Sequence, residues 1–321
     1  MTGRGHGTLW SALVLALAAA VPLLVTDAAP AGVGAARAVA AVPSAEPSAQ
    51  PSRAPASAAP SLLSPVATPS PAPPEPDLAR AAVDAAQARA AGSTQLAVAV
   101  LDRRTGELAV NGRGDEPYYT ASLSKLVVIV DVLDRRRLEG LTVTDADLAL
   151  IQRALGPSDD SAMSALWERF DGAGAPARVS RRLGLEGTSA PRRTGQWGEV
   201  EVTAADYVKL WRYVLDEMPA ADRDLLITDM EAAPPVAKDG FDQAFGLLAP
   251  GVRGSGGPGA VAKQGWMCCF SGQYYLHSAG ALGADRRFVL ALLTRVPRSE
   301  GWPGARSELD GITAQAVAAL E

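Results

Sequence analysis

The sequence predicts an α+β domain: one antiparallel sheet of about five strands, flanked by terminal helices, with a smaller all-helical lobe. Three observations predict it. Two early strand patterns and three late ones bracket a mostly helical middle. Helical patterns open and close the folded part. Short turns join neighbouring strand patterns, which makes the sheet antiparallel.

The elements follow in chain order. Arg4 stands without an acid in residues 1–8, and 9–25 is an uncharged, mostly apolar run. Ala38-Val39-Ala40 then supplies a small-residue cleavage pattern, so 1–40 reads as a secretory signal peptide, with an uncleaved anchor as the alternative. Eleven of the 24 prolines lie in 43–76, among Ala and Ser. Such a stretch buries too little apolar surface to offset chain entropy, so 41–76 reads as a disordered linker. Residues 77–321 remain for the folded domain, enough for a substantial core.

Asp77 caps a helix over 78–91 that Gly92 ends. Residues 95–101 and 107–111 form a hairpin around the turn at 102–106. A helix over 122–136 is almost entirely apolar in its middle, which places it in a core. Thr144 with Asp147 makes a capping box for a helix that Gly156-Pro157 stops at 155. A further helix spans about 161–170, and 185–201 lacks periodicity and reads as a loop. Thr203 with Asp206 opens a helix carrying Leu210, Trp211, Val214 and Leu215 at core spacing. Strands over 260–269, 273–282 and 287–294 and a helix over 307–320 complete the chain.

Composition excludes several classes of function. Net charge is −5 with no large Lys/Arg cluster, so a broad nucleic-acid surface is not expected. Of two histidines, His6 lies in the leader, leaving His277, which reads as a strand residue. The two cysteines are adjacent, Cys268-Cys269, so a Cys/His zinc site lacks ligands and no metal or cofactor is expected. They read as two reduced thiols on opposite strand faces, with a vicinal disulfide as the alternative. Acid–base chemistry at neutral pH then falls to Lys, a carboxylate or Tyr.

Three short motifs carry chemistry. Ser122-Leu123-Ser124-Lys125 puts a hydroxyl and an amine at i and i+3, on one helix face. A desolvated lysine beside a serine can act as its base. Ser158-Asp159-Asp160 sits in the tight connection after Gly156-Pro157, as a proton carrier or merely an acidic helix cap. Lys263-Gln264-Gly265 lies on a late strand, where Lys offers a point charge and Gly lets a ligand approach the backbone, with an edge-strand Lys that discourages aggregation as the alternative.

In this order the motifs resemble the S-x-x-K, S-D-N and K-T-G motifs of class A β-lactamases and penicillin-binding proteins. The chain is similar to that family over essentially all of 77–321. The resemblance implies Ser122 as acylated nucleophile, Lys125 as base, and Ser158 as proton shuttle. It implies Lys263 tuning that shuttle and attracting a substrate carboxylate, and an oxyanion hole of the Ser122 and Trp266 N–H groups. It further implies a hydrolase acting on a β-lactam or a D-Ala-D-Ala-like peptide; the leader and the linker add the expectation that it is exported, secreted or cell-wall associated, and a monomer is expected.

Four departures from the pattern bear on function. Asp160 stands for Asn, and a carboxylate cannot donate to a substrate carbonyl. Gln264 stands for Thr or Ser, with an NH2 that can reach a carboxylate. The interval from Ser122 to Ser158 is short, which implies a trimmed lobe. The family's deacylating E-x-x-L-N loop is absent, leaving Glu199, beside Trp197, as the candidate base. Slow hydrolysis of the acyl-enzyme is therefore expected, with a non-catalytic ligand-binding domain on the same fold as the alternative.

Overall fold

The computed structural model describes residues 77–253 and 259–321. The expected signal peptide and linker lie outside the described residues. Helix α1 (Leu78–Arg89) leads into strands β1 (Gln95–Asp102) and β2 (Glu107–Val110). A two-residue strand β3 (Tyr118–Tyr119) precedes a short 3-10 turn at Ala121–Leu123 and helix α2 (Ser124–Glu139). Helices α3 (Asp145–Leu155), α4 (Asp160–Arg169) and α5 (Ala175–Leu183) follow. Strand β4 (Glu201–Val202) then leads to α6 (Ala204–Asp216), α7 (Ala220–Glu231) and the single turn α8 (Pro250–Arg253). Strands β5 (Val261–Phe270), β6 (Gln273–Leu282) and β7 (Phe288–Pro297) and helix α9 (Gly301–Ala318) end the chain.

The main sheet has the order β2-β1-β7-β6-β5, antiparallel throughout. This is the expected five-stranded architecture. Side chains alternate across a strand, so each face feeds its own core. Leu96, Val98 and Val100 of β1 join Leu290, Leu292 and the α1/α9 residues Val83, Leu309 and Ile312. Ala97, Ala99 and Leu101 join Leu293 and the helical lobe, including Leu126, Trp211 and Val214. With both faces covered, β1 is apolar almost throughout rather than alternating.

Several elements depart from expectation. The 122–136 helix is divided: Ser122 sits in the 3-10 turn, and the regular helix starts at Ser124. Helices α5 and α7 were not expected. Pro176 opens α5 within its first turn, and α7 follows Pro219 without a capping side chain, so each start signal is weak. Strands β3 and β4 are too short for a periodic pattern, and their pairing, Tyr118 with Val202 and Tyr119 with Glu201, organises the expected 185–201 loop. Helix α9 begins earlier than predicted, at Gly301.

Cys268 and Cys269 form a vicinal disulfide across a cis peptide bond, which corrects the reading of two reduced thiols. An extended strand would point them apart, but the β5–β6 register shifts between Met267 and Phe270, and there the pair departs from regular strand geometry.

Candidate active site

The site is built where β5, the edge strand nearest the lobe, meets the turn before α2. That turn is tied down on every side. The His277 Nε2–H donates to the Tyr119 carbonyl at 2.8 Å, while Thr294 N–H donates to Nδ1 at 3.2 Å, which assigns the neutral tautomer. Burial holds the His277 pKa down at about 4, so the ring is a structural brace, as its strand position suggested. Thr120 donates through both its backbone N–H and its hydroxyl to the Val200 carbonyl, at 2.8 and 2.9 Å. The Ser124 hydroxyl donates to the Ala121 carbonyl, and the Tyr207 hydroxyl to that of Leu123, each at 2.9 Å.

Ala121 itself has φ of +47°, a left-handed conformation uncommon for a residue with a Cβ. Strain of this kind persists only where surrounding contacts over-determine the backbone, as they do here. Gly265 makes the close packing possible. A Cβ there would stand 2.6 Å from the Thr120 carbonyl oxygen and 3.2 Å from the Leu123 side chain. The space expected for a ligand at Gly265 is instead filled by the turn that carries Ser122.

One turn along, Lys125 is fully buried and its Nζ is surrounded by four oxygens. These are Ser122 Oγ at 2.9 Å, Ser158 O at 2.7 Å, Ser158 Oγ at 3.0 Å and Asp160 Oδ1 at 2.8 Å. Burial lowers the Lys125 pKa from its ordinary value, and Asp160 opposes that shift without cancelling it. Ser158 is also left-handed, with φ of +57°. It is presented by Asp159, whose carboxylate caps α4 at the Ser161 N–H (2.9 Å) and accepts from Arg153 Nε (3.0 Å). Lys263 Nζ reaches the same Ser158 Oγ at 3.0 Å. One hydroxyl thus bridges two buried amines. Burial, then the neighbouring Lys125 charge, holds Lys263 well below the usual lysine range.

These groups open into a cleft of about 490 Å3, whose walls include Ser122, Asp160, Trp197, Asp239, Trp266 and Trp302. The Trp197 ring lies 5.0 Å from Lys125 Nζ, and the Trp266 ring 5.8 Å from Lys263 Nζ. Trp197 Nε1 donates to Ser164 Oγ at 3.3 Å. Ser122, Lys125, Ser158, Asp160, Lys263, Gly265 and Trp266 are brought together as the motifs suggested.

Two expected residues are not. Gln264 turns its NH2 to the Phe245 carbonyl and is buried. Lys263 and Gly265 face the lobe, so strand alternation sends Gln264 to the α1/α9 face, away from a substrate carboxylate. The Glu199 carboxylate is held by Arg193 and does not line the cleft. Asp239 and Trp302 were missed. Neither belongs to a motif, and both reach the cleft only through long-range packing. Among the described residues no group of His, Cys, Asp and Glu is arranged to hold a metal ion.

The fold is shared with solved β-lactamases. The fold superposes on the TLA-1 extended-spectrum β-lactamase with a TM-score of 0.63 at 13% identity, covering 75% of this chain and 99% of that one. It superposes on a class A β-lactamase from Mycobacterium abscessus with a TM-score of 0.57 at 18% identity, covering 74% and 98%. The domain therefore has the class A β-lactamase-like fold, as the resemblance implied. No family model matches the chain. By sequence it is 33% identical over 228 residues to the "Putative lipoprotein LppW" of Mycobacterium tuberculosis and of Mycobacterium bovis, covering 70% of each chain. The chain belongs to the LppW family. Its own two cysteines stand at 268 and 269, and no helix among the described residues is long and apolar enough to cross a membrane.

Proposed function

We propose that the protein is an extracytoplasmic serine hydrolase that forms an acyl-enzyme at Ser122 on an amide, with β-lactams among the amides that acylate it. The observation that carries this reading is the chain of contacts Ser122 Oγ–Lys125 Nζ–Ser158 Oγ–Lys263 Nζ, at 2.9, 3.0 and 3.0 Å, opening onto a cleft. Neutral Lys125 takes the Ser122 proton as Oγ bonds to the carbonyl carbon. The Ser122 and Trp266 N–H groups stabilise the oxyanion. As the C–N bond breaks, Ser158 passes its proton to the leaving nitrogen and recovers one from Lys125. Water then releases the acyl group.

Deacylation is the slow step, because Glu199 is engaged by Arg193. The leader pattern and the name of the LppW relatives support an extracytoplasmic setting. A second reading, a binding domain without turnover, is favoured by Asp160, which stabilises the ammonium form of Lys125. Intact-protein mass spectrometry with a penicillin, wild type beside Ser122→Ala, tests both. A long-lived adduct present in wild type and absent in Ser122→Ala is expected. No adduct in either protein, with penicillins and with activated esters, overturns the hydrolase reading in favour of the binding domain.

A further inference from the structure

The exposed charge of the cleft has one sign. Asp160 and Asp239 are both exposed and line it, and among its described lining residues none is Lys, Arg or His. Lys238, next to Asp239 in sequence, is exposed but does not line it. The two lysines of the site are buried beneath the floor, and Lys125 is already engaged by Asp160.

Asp239 is held in a fixed position. Its Oδ1 accepts from the Phe241 N–H at 2.9 Å, and its Oδ2 accepts from Trp266 Nε1–H at 3.0 Å. Phe241 stacks on the Trp266 indole, centroids 4.8 Å apart and planes 11° apart, which locks the pair. Trp197, Trp266 and Trp302 stand on the walls of the same cleft. Lys125 already stands over the Trp197 ring, Phe241 over that of Trp266 and Tyr274 against that of Trp302, so the indoles supply walls and the carboxylate supplies the charge-assisted partner. A concave surface of indoles and carboxylates complements an ammonium group. An ammonium group on an acyl donor meets opposite charge on entry.

We infer that the substrate of this cleft carries an ammonium group that docks against Asp239 and the tryptophan walls, beside the bond that Ser122 attacks. The substrate class is a peptide or amide with a free amine. This rests on the acyl-transfer reading for the bond attacked, but the recognition of the amine is separable from it.

The test is tryptophan fluorescence titration of the full-length protein with two tripeptides, acetylated at the N-terminus and amidated at the C-terminus. One carries a free lysine amine and the other its Nε-acetyl twin. The amine peptide is expected to bind about tenfold more tightly at low salt, with the difference shrinking as salt rises. Asp239→Asn is expected to reduce the preference to less than about twofold. Asp242→Asn, at an exposed acid that pairs with Arg306, is expected to keep it. Equal binding of the twins, no binding of either at millimolar concentration, or a preference that survives Asp239→Asn overturns the inference. Should Asp239→Asn fail to fold by circular dichroism, the wild-type twin comparison and its salt dependence decide. Failure of the hydrolase reading appears separately, as absence of any Ser122 adduct, and leaves the titration result standing.

Discussion

Replacing Asp160 by Asn removes one charge from beside Lys125 and little else. The Asn Oδ1 can still accept the hydrogen bond, so the geometry at Nζ is retained. Burial lowers the Lys125 pKa and Asp160 raises it. In the proposed mechanism acylation needs the neutral amine, so the acid limb of its pH profile is expected to follow Lys125. Taking away the anion favours the neutral form and moves that limb to lower pH. The separation is 2.8 Å and the Asp160 side chain is 59% exposed, so at water-like screening the pair is worth about 1.5 kcal/mol, or about one pH unit. Below the wild-type midpoint the variant therefore acylates up to about tenfold faster, and well above it the two rates converge. The assay is the second-order rate of Ser122 acylation by a neutral activated ester, followed by intact mass from pH 5 to 9. A limb that stays in place, or moves upward, refutes Lys125 as the base that Asp160 restrains.

Other substitutions probe the supports of the site. Gly265→Ala places a Cβ 2.6 Å from the Thr120 carbonyl, displacing the turn that carries Ser122. A fall in acylation on the order of 100-fold is expected with the circular dichroism spectrum unchanged. Wild-type activity in that variant would refute the close-packing argument. His277 is buried with a pKa near 4 against an ordinary 6.5. The unfolded chain takes up this proton first, so stability is lost as pH falls through that window. His277→Gln should flatten the unfolding free energy there by about 1.4 kcal/mol per pH unit, measured by urea denaturation. Asp229 is buried with Oδ2 unpartnered, and burial raises its pKa from 3.8 to about 6. Its ionisation above that value costs stability, so Asp229→Asn should gain on the order of 2 kcal/mol at pH 7.5. That gain should vanish near pH 4, and an equal gain at both pH values would refute it.

The legible parts of the protein were those encoded over short spans. Apolar runs bounded by turns marked all five sheet strands, and capping residues and helical spacing marked most helices. Thr144 with Asp147 and Thr203 with Asp206 form the caps their spacing suggested. The left-handed Ala121 was not legible, because nothing in an alanine favours that backbone. Gln264 was misread because its face depends on which core each side of β5 meets. Glu199 looked available until the loop brought Arg193 onto it.

The sequence by itself determined the ingredients: the three-residue spacing that puts Ser122 within reach of Lys125, the turn that carries Ser158, and the late strand that carries Lys263. Helical spacing and turn chemistry act over three or four residues, so they can be read from neighbours alone. Only the tertiary structure decided that Ser158 bridges both lysines, that burial depresses both amines, and that Asp239 and the tryptophans face the same cleft. Those properties depend on desolvation and on contacts between residues far apart in the chain. They exist only once the sheet and the helical lobe close on one another.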